Sequence, residues 1–306
     1  MLEVLDGGWL TTIQDLGRPG YERYGIPVSG AMDFFALRVA NGLVGNPPGA
    51  AGLEITLVGP VLAATVPCLV AVTGADLTFQ VDGREMPMWM SVFVRRGSVI
   101  SFGGRRRGCR AYLAVAGGIE VPPVLGSRST YLPGRFGGWE GRALRAGDRL
   151  PIGPVSGHLP ERAGRRFPPQ RLPPYSDCPT VRAVPGPQDD HFPPEGLETF
   201  FGAEYHVSPT SDRMGYRLEG PPVARRRAEI ISDGVPPGAV QVPPDGQPIV
   251  MMADHQTTGG YPKIATVITV DLPLLAQCVP GESRVRFAAV DVAEAQRCYR
   301  EMYGWK

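Results

Sequence analysis

The chain has 306 residues, 43% of them hydrophobic and 20% charged, with a formal net charge of +1. This is a globular composition with an ample core, and the balanced charge excludes a bulk electrostatic attraction to nucleic acid or an anionic membrane. Gly (40) and Pro (33) are frequent and spread along the chain, which suits many short strands joined by turns.

The first eight residues carry no basic and apolar signal segment, so a cytoplasmic location is expected. An alternating L-E-V-L and a Gly-Gly turn lead into T-T-I-Q-D-L-G-R-P-G (residues 11–20), which is rich in hydrogen-bonding groups. Ser29 is a candidate N-cap for a helix over residues 31–44, where Phe34, Phe35, Leu37, Ala40, Leu43 and Val44 make an apolar stripe. Gly45-Asn46-Pro47-Pro48 stops it. Strands are expected over 53–57, 68–73, 77–81, 89–94, 99–102 and 109–116, with Asp82-Gly83 as a tight hairpin signal. Residues 55–75 are uncharged, but Gly59, Pro60, Pro67 and Gly74 divide them into strands and argue against a transmembrane helix.

Residues 126–141 hold five Gly and two Arg, and open with G-S-R-S-T. Ser127, Arg128 and Ser129 are a possible anion-binding set with backbone N–H groups; a long structural loop is the equal alternative. No G-x-x-x-x-G-K-[ST] is present, which excludes a P-loop. The runs Arg105–Arg107 and Arg225–Arg227 read as solvated loop tips. Residues 155–174, dominated by Gly, Pro and Arg, make the natural boundary: an N-terminal β-rich subdomain with one helix over 1–154, a linker over 155–174, and a C-terminal subdomain over 175–306.

In the second half, strands are expected over 180–184, 205–207, 239–242 and 281–287. Asp291 and Glu294 form a capping box opening a last helix over 292–303. Between an apolar run at 248–252 and a β-branched one at 264–272 lies A-D-H-Q-T-T-G-G-Y-P-K (residues 253–263). A connector that only turns needs a few of Gly, Asn, Asp or Pro. This one is dense in groups that transfer protons or hold oxyanions, which marks it as the leading functional loop. Of the 31 basic residues, only Lys263 and Lys306 are lysines. A lysine kept inside this loop argues for a compact ammonium set against an oxyanion; a surface lysine after a strand-opening Pro is the bland alternative. The five cysteines are widely spaced with no C-x-x-C pair, so free thiols and no metal site are expected.

Three blocks go beyond generic pattern: T-T-I-Q-D-L-G-R-P-G-Y with S-G-A-M-D, G-S-R-S-T-Y, and Q-V-P-P-D-G-Q-P through D-H-Q-T-T-G-G-Y-P-K. Taken in order over almost the whole chain, they resemble the family of allophanate hydrolase subunit 2, also labelled biotin-dependent carboxyltransferase or the C subunit of 5-oxoprolinase. The resemblance implies a mainly β fold with a few helices, a cyclophilin-like β-barrel architecture in two subdomains. It implies two partner proteins, the related B subunit of that enzyme together with its A subunit. The complex hydrolyses the lactam of 5-oxoproline to glutamate at the expense of ATP. ATP is then used by the complex, and a partner protein is one place to bind it. Other members form the biotin-dependent carboxyltransferase part of urea carboxylase or are antagonists of a histidine-kinase inhibitor. With only two lysines and no further domain for biotin and ATP chemistry, the chain favours the 5-oxoprolinase component.

Opening a lactam needs a group that takes a proton from water and donors where negative charge grows. Asp254 and His255 are the alternative bases, with His255 favoured; being adjacent, they point to opposite sides if the backbone there is extended, which would leave one facing the pocket and the other structural. Lys263 and Arg213 are the candidate cations, although Arg213 in a turn is also a typical salt-bridge partner. Gly259 and Gly260 offer backbone donors. Gln241, Gln247, Thr257 and Tyr261 complete the expected substrate-binding set. A satisfied loop histidine is the structural alternative for His255.

Overall fold

The computed structural model describes residues 1–155, 157–226 and 230–303. Arg227 and Lys306 lie outside them. Two compact units emerge, residues 1–18 with 29–173, and residues 19–28 with 174–306. The short segment 19–28 belongs to the second unit although its neighbours in sequence belong to the first.

The first unit is built from two antiparallel sheets. One has the strand order Arg149–Leu150, Leu2–Asp6, Val61–Ala64, Val99–Phe102, Phe79–Val81, Arg84–Glu85. The other runs Leu10–Gln14, Gly52–Thr56, Arg107–Val115, Cys68–Asp76, Ser91–Val94. Alternate residues of both, among them Leu2, Val4, Leu62, Ile13, Leu53, Val70, Val72 and Leu113, meet in one buried core. The uncharged stretch 55–75 is spent on three of these strands, and among the described residues no helix is long and apolar enough to cross a membrane. Asp82 and Gly83 both take left-handed φ values, 52° and 72°, and join Val81 to its partner Arg84 as a two-residue hairpin.

The helix begins three residues later than the expected 31, at Phe34–Val44, and Asp33 caps it by accepting from the Ala36 N–H at 2.8 Å. Ser29 cannot cap it: it lies five residues before Phe34 with a left-handed φ of 56°, and its buried hydroxyl meets no partner among the described residues. The helix packs on the second sheet, where the Thr73 hydroxyl donates to the Ala36 carbonyl.

The second unit is a closed seven-stranded barrel, in the order Thr180–Pro185, Lys263–Val267, Ala239–Gln241, Ile249–Met251, Gly215–Glu219, Glu204–Val207, Arg284–Ala289. It closes through the parallel pairing of Thr180–Pro185 with Arg284–Ala289. Phe200 stacks on Phe287 at 4.5 Å between ring centres, with Tyr205 alongside. The β-branched run at 264–272 is strand only as far as Val267. A short helix, Leu272–Ala276, follows with Pro273 in its first turn, and the buried Asp271 turns to Arg182, taking its backbone N–H and its guanidinium. The last helix, Val292–Tyr303, carries its expected cap, with the Glu294 N–H on Asp291 Oδ1 at 2.7 Å. None of the five cysteines is in a disulfide.

Candidate functional site

Topology places the 253–263 segment. The strands Ile249–Met251 and Lys263–Val267 flank Ala239–Gln241 and are both antiparallel to it, so they run parallel to each other. Met251 lies level with Ala239 and Lys263 with Gln241. The connecting chain must therefore return along the barrel wall past Ala239–Gln241, where a hairpin would have left it at one end. Asp254, His255 and Lys263, on this return, are each buried in the second unit. A bulge follows Lys263: Gln241 pairs with Lys263 but Val240 with Ala265. The extra residue re-aims the strand locally, and Lys263, Ile264 and Ala265 are all buried in succession.

Asp254 is committed to Arg213. Its two oxygens accept from Arg213 Nε at 2.8 Å and Nη2 at 3.1 Å, and its own N–H donates to the Arg213 carbonyl. His255 turns elsewhere. Its Nδ1 lies 2.7 Å from the Gln256 carbonyl oxygen. A carbonyl can only accept, so Nδ1 carries the hydrogen and Nε2 the lone pair. Nε2 is buried and meets no hydrogen-bonding partner among the described residues. Burial lowers the imidazole pKa below its ordinary 6.5; the Gln256 carbonyl and the charges of Asp254 and Glu22 pull it only partly back. The ring is a neutral, desolvated proton acceptor.

Gln241 ties the segment down at two points. Its Oε1 accepts from Gln256 Nε2 at 3.2 Å, and its Nε2 donates to the Tyr261 carbonyl at 3.4 Å. A Cβ at Gly259 would come 2.5 Å from that Nε2, so a larger residue there would have to displace the Gln241 amide from this position. Thr257 and Gly260 spend their carbonyls on the N–H groups of Val235 and Ile230. The short ladder of Asp233–Gly234 with Thr258–Gly259 continues the same pairing. The Tyr261 ring is partly exposed.

Lys263 Nζ donates to Asp233 Oδ2 at 3.0 Å, and its backbone N–H donates to Gln188 Oε1. The carboxyl of Asp233 is held below its usual range, first by that ammonium and then by the Gly234 N–H. Asp233, Gln188, Gln256 and Glu22 are not among the residues expected from sequence. Gln256 lies in the loop itself, whereas Asp233 and Gln188 leave only a faint signal, an Asp-Gly turn and a P-G-P-Q run far from the loop they serve.

Two groups of expected residues stand apart. Gln247 clamps Gly220, accepting from its N–H at 2.9 Å and donating to its carbonyl at 3.1 Å, so its amide is occupied by the chain itself. In the first unit, Ser127 and Ser129 donate their hydroxyls, and Arg128 its backbone N–H, to the Asp15 carboxylate. The Arg128 side chain goes to the Val121 carbonyl and Glu120. The anion that these donors of the glycine-rich segment hold is the chain's own Asp15. A concavity of about 490 Å³, lined by Val223, Arg225, Arg226, Pro244 and Gly246 among others, contains none of the expected residues.

Residues 24–289 match the family described as carboxyltransferase domain, subdomain A and B. The chain is 41% identical over its full length to the C subunit of 5-oxoprolinase from Escherichia coli (strain K12), covering 98% of that protein. Urea amidolyase of Saccharomyces cerevisiae is 35% identical over 98% of this chain, which spans 17% of that longer protein. The crystal structure of the K. lactis urea amidolyase matches with a TM-score of 0.93 at 32% identity, over 98% of this chain and 19% of that one. The mainly β fold with its seven-stranded barrel, the matched domain and these relatives agree: the chain belongs to the carboxyltransferase-domain family that includes the 5-oxoprolinase C subunit.

Proposed function

We propose that this chain is the C subunit of an ATP-dependent 5-oxoprolinase that opens the lactam of 5-oxo-L-proline to L-glutamate together with its A and B partners. The end-to-end match to a 5-oxoprolinase component of the same length carries this reading. His255 Nε2 takes the proton from the attacking water, since it is the one of the two candidate bases with an unengaged acceptor. Lys263 faces the anionic oxygen of the substrate. Arg213 and Asp254 hold the segment in place as a pair, and Gln241 with Gln256 fixes the loop beside Lys263. With Asp15 filling the glycine-rich segment, the phosphoryl donor is assigned to a partner protein. Mixing the chain with those two partners, ATP and 5-oxoproline tests the reading: phosphate and glutamate should appear together, and no glutamate from the complete mixture would end it.

The 35% identity to urea amidolyase supports a second reading, carboxyl transfer from a carboxybiotin carried by another protein. Lys263 is buried and cannot carry biotin itself. This reading predicts turnover that needs a biotinylated partner and stops with avidin, whereas the first is indifferent to avidin.

A further inference from the structure

We infer that Asp233 is an exchangeable counter-ion, occupying on Lys263 and Gln188 the place that a carboxylate oxygen of a small-molecule ligand takes. The inference rests on Lys263 being the cation of the proposed site. Two donors converge on one atom: Lys263 Nζ and Gln188 Nε2 lie 3.0 and 3.4 Å from the same Asp233 Oδ2. Convergent donors of this kind make an anion-holding pair, here filled by the chain itself.

The burial of this pair is lopsided. The Lys263 side chain is 2% exposed, but that of Asp233 is 55% exposed. The buried Arg213 has a carboxylate partner as buried as itself. A buried charge without its partner is costly, so Lys263 needs an anion at all times. Asp233, half in water already, regains hydration at little cost when it leaves. Its tether is slight: a two-residue ladder to Thr258–Gly259, flanked by the Ile230 and Val235 N–H bonds. Gln188 stays in place because its Oε1 is held by the Lys263 backbone, so both donors remain aimed at the vacated position. A second carboxylate cannot join Asp233 on one buried ammonium, because like charges at that distance oppose each other. Entry of the ligand and departure of Asp233 are therefore one event.

The test uses the full-length chain labelled with ε-15N-lysine, in which Lys263 is one of only two lysines. Acetate, 5-oxo-L-proline and the uncharged lactam 2-pyrrolidinone are titrated into wild type and Asp233→Asn, following the Lys263 ammonium resonance. Removing the competing charge should tighten acetate and 5-oxo-L-proline by roughly tenfold, the scale of one partly exposed ion pair, and leave 2-pyrrolidinone within about twofold. Gln188→Leu should weaken acetate by about threefold or more in the otherwise intact chain. Acetate bound equally or more weakly by Asp233→Asn, or unaffected by Gln188→Leu, overturns the exchange. If acetate responds and 5-oxo-L-proline does not, the exchange stands and the 5-oxoprolinase reading is the one that fails.

Discussion

Asp254→Ala is expected to cost the second unit about 3–5 kcal/mol, the usual penalty for taking one partner from a buried ion pair. Both side chains are almost out of water, 1% exposed for Asp254 and 7% for Arg213, so the guanidinium keeps its desolvation cost when the carboxylate goes. At about 2–4 °C per kcal/mol for a unit of this size, melting falls by roughly 6–20 °C. Asp254→Asn keeps the shape and one acceptor but loses the charge, and should fall by about 1.5–3 kcal/mol. The double replacement Arg213→Met with Asp254→Leu removes both charges at similar volume and should return to within about 1–2 kcal/mol of wild type. Calorimetry suits the measurement, because three of the four tryptophans, Trp9, Trp89 and Trp139, lie in the first unit and would dominate the fluorescence. An Asp254→Ala chain that melts like wild type yet supports no turnover would refute the assignment, making Asp254 a reacting group.

His255→Gln in the assembled complex should lower turnover by about 10²–10⁴-fold, with melting changed far less than by Asp254→Ala. The pH profile follows from the sign of the shift. Burial depresses the folded pKa below 6.5, so the ring is neutral above that value, and an acidic limb in kcat/KM should appear only below it. Stability moves the same way: below pH 6.5 the unfolded chain takes up a proton the buried ring refuses, and stability at this site is lost down to the folded pKa. Lys263→Arg should abolish most activity, because a planar fork cannot replace a compact ammonium in a site this enclosed; full retention of rate would dismiss the lysine argument. Gly186→Ala should be poorly tolerated, since a Cβ there would meet the Lys263 carbonyl oxygen at 2.1 Å, and rescue by a smaller neighbour is impossible against backbone. Its check is loss of stability together with a shifted Lys263 ammonium resonance. Asp33→Ala should cost about 1–2 kcal/mol in denaturant unfolding through the lost helix cap.

Alternation and turn chemistry make most strands legible, because a strand half in the core writes its period directly into the sequence. The Asp82-Gly83 hairpin is legible for the same local reason: two residues with positive φ are what that turn demands. The helix cap is misplaced from sequence because Ser29 and Asp33 are both good capping residues, and only the backbone decides which stands at the first turn. The barrel crossover is out of reach. Nothing in residues 248–272 tells that Ile249–Met251 and Lys263–Val267 are separated by a third strand, and this alone decides that the loop lies along the wall. The partners of Lys263 come from residues 30 and 75 positions away, and no local pattern encodes such distances.

Two donor-rich stretches illustrate what composition can and cannot supply. Around Ser127–Ser129 and around Lys263 the sequence sets out groups able to hold an anion, and in both places the fold provides one of its own carboxylates. The difference lies in the acceptor. Asp15 is 8% exposed and bound by two hydroxyls and two backbone N–H groups, so removing it would strand buried donors on every side. Asp233 is bound by a side-chain ammonium, an amide and its neighbour's N–H, with most of its carboxylate surface in water. Swapping Asp15 for an external anion would cost the first unit its stability, whereas swapping Asp233 exchanges one carboxylate for another on the same donors. Donor capacity is written in the sequence, but whether it serves the fold or a ligand depends on how deeply the internal acceptor is buried.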